Sequence, residues 1–346
     1  MQKDPYCVRT NKGPIPNNIY KYDKNDAKIL KSMSENRKDL LLYNSSGHSM
    51  NFQNFYQNNY AFLILSGPSL KEHNLDLLKH RRGIMTMGVN NSWSVFKPNL
   101  WTSVDDPGNF SDIGWRDPSI MKFAPLSNAY KYIISKKSDG TFQKTNLRCM
   151  DLPSIWFFHR NAKFQSKSFF RESSINWGAG DKERCELGCK GGRSVMLVAL
   201  RLLHYLGFKR VFLLGADFYM QDGEKQNYAF EQNRSKSSIR GNNNTYRTLN
   251  KRLTALMPEM LADDFKVYNC NKKSHLQVFS YFPFEDAVEV ATKHFPDKID
   301  TKGHYDRKEQ DKEYKKNQSL IDDKKETYKQ KENQSVHFEK LDYIGN

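Results

Sequence analysis

The chain is poor in cysteine, short of acid and free of long apolar runs. Its 346 residues hold five cysteines, an odd number scattered along the sequence. That pattern excludes a disulfide framework and fits reduced thiols in a cytosolic compartment. No run of about 18 apolar residues occurs, so no transmembrane helix is expected. The opening MQKDPYCVRTNKGPIPNN lacks the apolar core of a signal peptide, and a cytoplasmic location is expected. Three catalytic signatures are missing as well. No Walker A lysine follows the glycine turn at Gly67, which argues against a P-loop NTPase, and neither G-x-S-x-G nor H-E-x-x-H occurs.

Acid is short in one region. The formal net charge is +16, from 55 Lys+Arg against 39 Asp+Glu. Residues 297–346 carry twelve of each sign, and residues 1–57 carry nine basic against five acidic, so +12 lies in 58–296. Such an excess fits a polyanionic partner or anionic substrates. It also fits a merely basic protein.

Three segments follow. Residues 1–57 read as a basic, polar N-terminal arm, with a short helix over 28–42. Residues 58–296 read as a nucleotide-binding α/β domain. Within it, 136–190 is an irregular aromatic and basic insertion or lid. Residues 297–346 are about half charged and cannot bury enough surface to fold alone, so a disordered or solvated helical tail is expected.

The α/β domain is organised around AFLILSGPSL. Ala61–Leu65 is a continuous apolar run, read as a strand buried on both faces. Gly67-Pro68 breaks it, and Ser69 with Glu72 forms an S-x-x-E pattern that predicts a capped helix. A glycine turn leading into a helix N-terminus presents free N–H groups to a phosphate. Further strands are predicted at Ile84–Val89, ending in Asn90 and Asn91, and at Leu100–Val104, ending in Asp105 and Asp106. In a parallel sheet these ends share one rim, where ligands bind. Gly191-Gly192-Arg193-Ser194 precedes a buried helix over Val195–Leu206, stopped by Gly207. Val211–Leu214 is a buried strand ending in Gly215-Ala216-Asp217-Phe218-Tyr219. An amphipathic helix over 246–262, a strand over Phe265–Asn269 and a helix over Phe284–His294 complete the domain. The fold class is α/β, a mostly parallel sheet with helices on both faces.

Other features have two readings each. The aromatics Trp156, Phe157, Phe158, Phe164, Phe169, Phe170 and Trp177 interleave with His159, Arg160, Lys163, Lys167 and Arg171, which suits base stacking or a loop burying its rings. Cys185 and Cys189 lack a second pair or a nearby His for zinc, so structural thiols are expected. Asp105-Asp106 reads as a metal-holding pair or, the favoured alternative, as turn formers before Pro107-Gly108. His204, inside the buried helix, reads as structural.

Several of these pieces resemble one family. SGPSLKE is similar to the GNGPSLKE-type turn of the bacterial sialyltransferases of glycosyltransferase family 42. MGVNNSW resembles that family's strand with a nucleotide-contacting Asn. LGFKRVFLLGADFY and the later Tyr228-Ala229-Phe230 resemble its G-x-D-F-Y and Y-A-F landmarks. A wider Rossmann-like group, including 6-hydroxymethylpterin diphosphokinases, shares these features and a Gly-Gly pair before the buried helix. The resemblance spans about residues 60–280. It implies a Rossmann-like, GT-A-variant domain using a CMP- or UDP-linked sugar without a metal. Gly67, Pro68, Ser69, Asn90, Asn91, Gly191, Gly192, Ser194 and Asp217 would line the nucleotide site. Tyr219 and Tyr228 would hydrogen-bond the leaving phosphate. Asn242 stands where the family has its catalytic His, and since Asn is no general base, the base falls to Asp105 or another carboxylate.

The expected function is therefore transfer of a sugar from a nucleotide sugar to an acceptor hydroxyl, with a modified DNA base or an acidic glycan as a fitting acceptor. Two alternatives stand beside it. One is an ATP- and Mg²⁺-dependent diphosphokinase of the pterin type, with Asp105 or Asp217 as metal ligand. The other is a non-catalytic module binding a nucleotide or nucleic acid.

Overall fold

Short apolar runs, each stopped by a glycine or a polar residue, give this chain one wide sheet. The computed structural model describes residues 39–161, 164–178, 194–222, 227–230, 235–296 and 298–341. The chain divides into two compact units, Met1–Phe295 and Pro296–Asn346. In the first unit the strands are β1 (Leu42–Tyr43), β2 (Ser49–Met50), β3 (Tyr60–Ile64), β4 (Met85–Val89), β5 (Leu100–Thr102), β6 (Met121–Pro125), β7 (Tyr132–Lys136), β8 (Phe142–Arg148), β9 (Ile155–Phe158), β10 (Arg160–Asn161), β11 (Ile175–Asn176), β12 (Arg210–Leu214) and β13 (Lys266–Asn269). Its helices are α1 (Asp112–Arg116), α2 (Val195–Tyr205), α3 (Lys236–Ala262) and α4 (Phe284–Thr292).

The main sheet has nine strands in the order β13-β12-β3-β4-β5-β6-β9-β1-β2. From β13 to β9 every pairing is parallel, and β1 and β2 add antiparallel at one edge. The third strand of that order is β3, an interior strand whose residues Ala61 to Ile64 are all fully buried. Its alternate residues feed two cores. Ala61 and Leu63 join α2 and α3 on one face, and Phe62 and Ile64 join α4 on the other. The chain runs outward from β3 through β4, β5 and β6 to β9, then returns to lay β12 on the opposite side of β3. The strand order reverses between β3 and β12, and a crevice opens at the carboxyl ends of strands at such a point.

The α/β class and the mostly parallel sheet hold. Several boundaries do not. The arm does not end at residue 57. Leu40, Leu42 and Phe52 belong to the core, and Leu42 lies in a strand where a helix was expected. The N–H groups of Asn54, Tyr56 and Asn58 donate to the carbonyls of Tyr205, Leu206 and Gly207, fastening 52–58 to the end of α2. Residues 1–38 lie outside the described residues.

The stretch from 136 is more regular than expected. It holds the β7–β8 hairpin and β9, which pairs with β6 in the main sheet. Its rings are core residues. Phe157, Phe158, Phe169, Phe170 and Trp177 are each at most 4 % exposed, so they have no face for stacking on bases. Cys185 and Cys189 fall outside the described residues. α3 begins ten residues earlier than expected, at Lys236, with Leu249, Leu253, Leu256 and Met260 on its buried face. In the second unit, Arg307–Leu341 is a single helix, α5, which matches the helical one of the two expected forms of the tail and not the disordered one. Its many Lys, Glu and Gln residues favour a solvated helix. No described helix is long and apolar enough to cross a membrane.

The structural reading of His204 leads to a pH effect. It packs against Phe170 and Phe265, with Nε2 3.0 Å from Asp263 Oδ2. Burial first, then the charge of Arg201, pushes its pKa down to about 4, against the opposing pull of Asp263. The unfolded chain binds this proton near pH 6.5 and the folded chain only near 4. Stability should therefore fall as pH drops through that window, by on the order of 2 kcal/mol. Urea unfolding at pH 7 and 4.5 checks it. His204→Gln should flatten this part of the slope, and an unchanged slope would contradict the reading.

Candidate functional site

At the reversal point, the turns after β3 and β12 touch. Leu65 N donates to Leu214 O at 2.8 Å, and Gly67 N donates to Gly215 O at 2.9 Å. Gly215 takes a left-handed φ of +68°, and Phe218 one of +59°. A Cβ at Gly67 would fall on Asp217 Oδ2 and lie 2.5 Å from Gly215 O. The glycine of the opening motif is thus required by the close approach of the two turns.

The expected phosphate cradle is not built there. Pro68–Glu72 is a five-residue 3-10 turn without a side-chain cap, so the predicted capped helix and its dipole are absent. Ser69 reaches across the sheet instead of back to its own turn. Its Oγ donates to Asp217 Oδ2 at 3.0 Å, and its N–H points to the same oxygen at 3.3 Å. Leu70 N donates to Gly67 O at 3.1 Å. Pro68 has no N–H, so no position from 67 to 70 offers a spare backbone donor.

Asp217 is the hub of this fastening. Its Oδ2 serves Ser69, and its Oδ1 accepts from Asn271 Nδ2 at 2.8 Å. Burial raises its pKa above the usual carboxylate value, outweighing the Ser69 hydrogen bonds that act the other way.

Beside this joint lies a cleft of about 360 Å³. It brings together Gly67, Asn90, Asp105, Ser194, Asp217, Tyr219, Tyr228 and Asn242 from the residues predicted by sequence. Pro68, Ser69 and Asn91 are not among its lining residues, and Gly191 and Gly192 lie outside the described residues. Ser194 is occupied as the N-cap of α2, accepting from Met196 N at 3.1 Å.

Asn90 is held in a left-handed turn, φ +50°, by two bonds. Its carbonyl accepts from Trp101 Nε1 at 2.8 Å, and its Oδ1 accepts from Ser103 Oγ at 3.0 Å. Its Nδ2 is thereby oriented as a donor. The two neighbouring acids take different directions. Asp106 is buried, caps Gly108 N at 3.2 Å and pairs with Lys131 at 3.4 Å. Asp105 lines the cleft, with its backbone fastened by Ser103 Oγ and by Asn128 Nδ2. The turn-forming reading therefore describes Asp106, and Asp105 is the acid presented to the cleft.

The far wall comes from the segment after β12 and from α3. Tyr219 is 48 % exposed and stacks on His275 at 4.8 Å. Asn242 Nδ2 lies 3.4 Å from Tyr228 Oη and orients that tyrosine. Asn243 bridges Met220 through both its backbone N and O, at 2.9 and 2.8 Å, and Asn227 clasps Gln221 in the same way. Tyr246, stacked on Phe218 at 5.1 Å, and Thr245 complete this wall. Sequence reading missed both: Thr245 lies just before the expected helix start, and Tyr246 read only as the first residue of an amphipathic helix.

No described residue of the lining is Lys, Arg or His. Its polar groups are amides, hydroxyls and the carboxylates of Asp105 and Asp217. Among the described residues no group of three or more His, Cys, Asp or Glu converges as a metal site. No protein-family model matches this chain, and no curated protein or solved structure matches it either.

Proposed function

We propose that this chain is a glycosyltransferase-like enzyme of Rossmann-like, sialyltransferase-related architecture. It would transfer a sugar from a CMP- or UDP-linked donor to an acceptor hydroxyl. One observation carries the reading: Asn90, Asp105, Tyr219, Tyr228 and Asn242, distant in sequence, line one cleft at the point where the strand order reverses. Asn90 is the donor for the nucleotide. The two phenols are neutral donors for charge developing on the departing phosphate oxygen. Asp105 is the base that takes the acceptor proton.

The diphosphokinase alternative has less support. It needs Asp105 or Asp217 for Mg²⁺, and Asp217 spends both oxygens on Ser69 and Asn271. The basic excess of 58–296 supports an anionic acceptor, a modified DNA base or acidic glycan, approaching from outside the cleft.

The phenols provide the test. With a donor sugar that turns over, Tyr219→Phe and Tyr228→Phe should each lower kcat by ~100-fold with little change in donor Kd. Equal losses in kcat and affinity would remove the leaving-group role.

A further inference from the structure

A second cavity, of about 280 Å³, lies at the other end of α2 and is lined by Arg171, Arg201, His204 and Lys209 among others. Its peculiarity is Arg201. The residue is 3 % exposed, yet among the described residues its one hydrogen bond runs from Nη2 to the carbonyl of Glu172 at 3.1 Å, and its buried Nε has no partner there. A guanidinium stays charged at neutral pH; Tyr205, Glu172 and Asp263 favour that charge through space, but among the described residues no carboxylate pairs with it directly, and a buried charge without a direct partner is costly. Desolvation pushes the Arg201 pKa down to about 10, far short of neutralising it.

The nearby acids are spent elsewhere. The Glu172 carboxylate accepts from Asn161 and Asn176, each at 2.6 Å, and from Ser168. Asp263 is shared between Arg171 at 3.2 Å and His204 at 3.0 Å, and Glu259 is held by Arg171 at 2.7 Å. On the lining itself Arg171, Arg201 and Lys209 face a single acid, the exposed Asp39. The end of α2 adds no exposed negative pole, since the carbonyls of Tyr205, Leu206 and Gly207 accept from Asn54, Tyr56 and Asn58.

His204 refines the chemistry. The carboxylate of Asp263 can only accept, so the neutral imidazole places its proton on Nε2. Nδ1, also buried and partnerless, is then an acceptor. A cationic donor and a neutral acceptor sit one turn apart on α2, at 201 and 204. The pair matches an oxyanion that keeps a proton. We propose that this cavity binds phosphate through Arg201, Lys209 and His204, and that it discriminates against sulfate, which carries no O–H at neutral pH.

Thermal unfolding and calorimetric titration of the full chain, with sodium phosphate or sodium sulfate at matched ionic strength, test this. Millimolar phosphate should raise the midpoint, and sulfate should be ~10-fold weaker or worse. Arg201→Met should abolish the phosphate response without lowering the phosphate-free midpoint, because it removes a buried charge whose desolvation outweighs the through-space pull of Glu172 and Asp263. Should that variant fail to fold, Lys209→Gln should weaken phosphate by ~10-fold. Asn90→Ala, in the other cleft, should leave the response intact. No response to phosphate, equal responses to both anions, an undiminished response in the Arg201 or Lys209 variants, or loss of the response in Asn90→Ala would overturn the proposal.

Discussion

Gly67→Ala should destabilise the protein by ~3 kcal/mol and distort the cleft at the same time. The added methyl would occupy the position of Asp217 Oδ2 and approach Gly215 O to 2.5 Å. Neither neighbour can retreat cheaply. Gly215 O is backbone, and Asp217 is tied to Ser69 and Asn271. Relief requires β3 and β12, both interior strands, to separate just past Leu65 N–Leu214 O. The control is Gly241, in α3, where an added Cβ meets nothing within 4 Å. Gly241→Ala should instead stabilise by ~0.5–1 kcal/mol through helix propensity. Chemical denaturation of both variants checks the pair. Equal effects would mean that the close approach of the two turns contributes nothing.

Asp105→Asn should lower kcat by ~1,000-fold while leaving the fold intact, since the loss is that of a general base. Asparagine keeps the backbone bonds to Ser103 and Asn128, and turn geometry tolerates it. Asp106→Asn should do the reverse. It removes the carboxylate beside Lys131, where both side chains are 5 % exposed, and should cost ~2 kcal/mol of stability with kcat nearly unchanged. Kinetics and urea titrations on the two variants separate the roles. A catalytic loss in Asp106→Asn with none in Asp105→Asn would invert the assignment.

The strands of the sheet were legible where burial on both faces leaves an unbroken apolar run, as at Ala61–Leu65 and Val211–Leu214. α2 was legible for the same reason, with Gly207 marking its end at φ +96°. Three features were not. The S-x-x-E pattern at Ser69 is a local signal, but the hydroxyl finds Asp217, 148 positions away, and that tertiary bond overrides the cap. The first turns of α3 contain Gly241 and three asparagines, poor helix formers. They are held by buried Ile239 and by Asn243 on the Met220 backbone, neither of which the local sequence announces. β9 is a four-residue run, IWFF, inside an aromatic stretch whose rings suited base stacking equally well. Only its pairing with β6 decides between the readings.

The candidate site was legible as a set of strand ends more than as a motif. Sequence placed Asn90, Asn91 and Asp105 on one rim with the Gly67 turn; Gly67, Asn90 and Asp105 share a cleft, and Asn91 is not among its lining residues. The backbone cradle expected at Gly67 is absent, because all the available N–H groups from Gly67 to Leu70 are consumed within the joint with β12. In the proposed reading Asn90 holds the nucleoside, and Tyr219 and Tyr228 act on the departing phosphate oxygen in the transition state rather than on the bound donor.

The most direct test is nucleotide binding by the full chain without added metal. CMP, CDP, UDP and ATP are titrated by thermal shift, the last with and without Mg²⁺. The account predicts that a cytidine or uridine nucleotide raises the midpoint, by ~5 °C at a hundredfold excess over Kd, and that Asn90→Ala removes most of the shift. Stabilisation only by ATP with Mg²⁺, or a pyrimidine shift indifferent to Asn90, would contradict it.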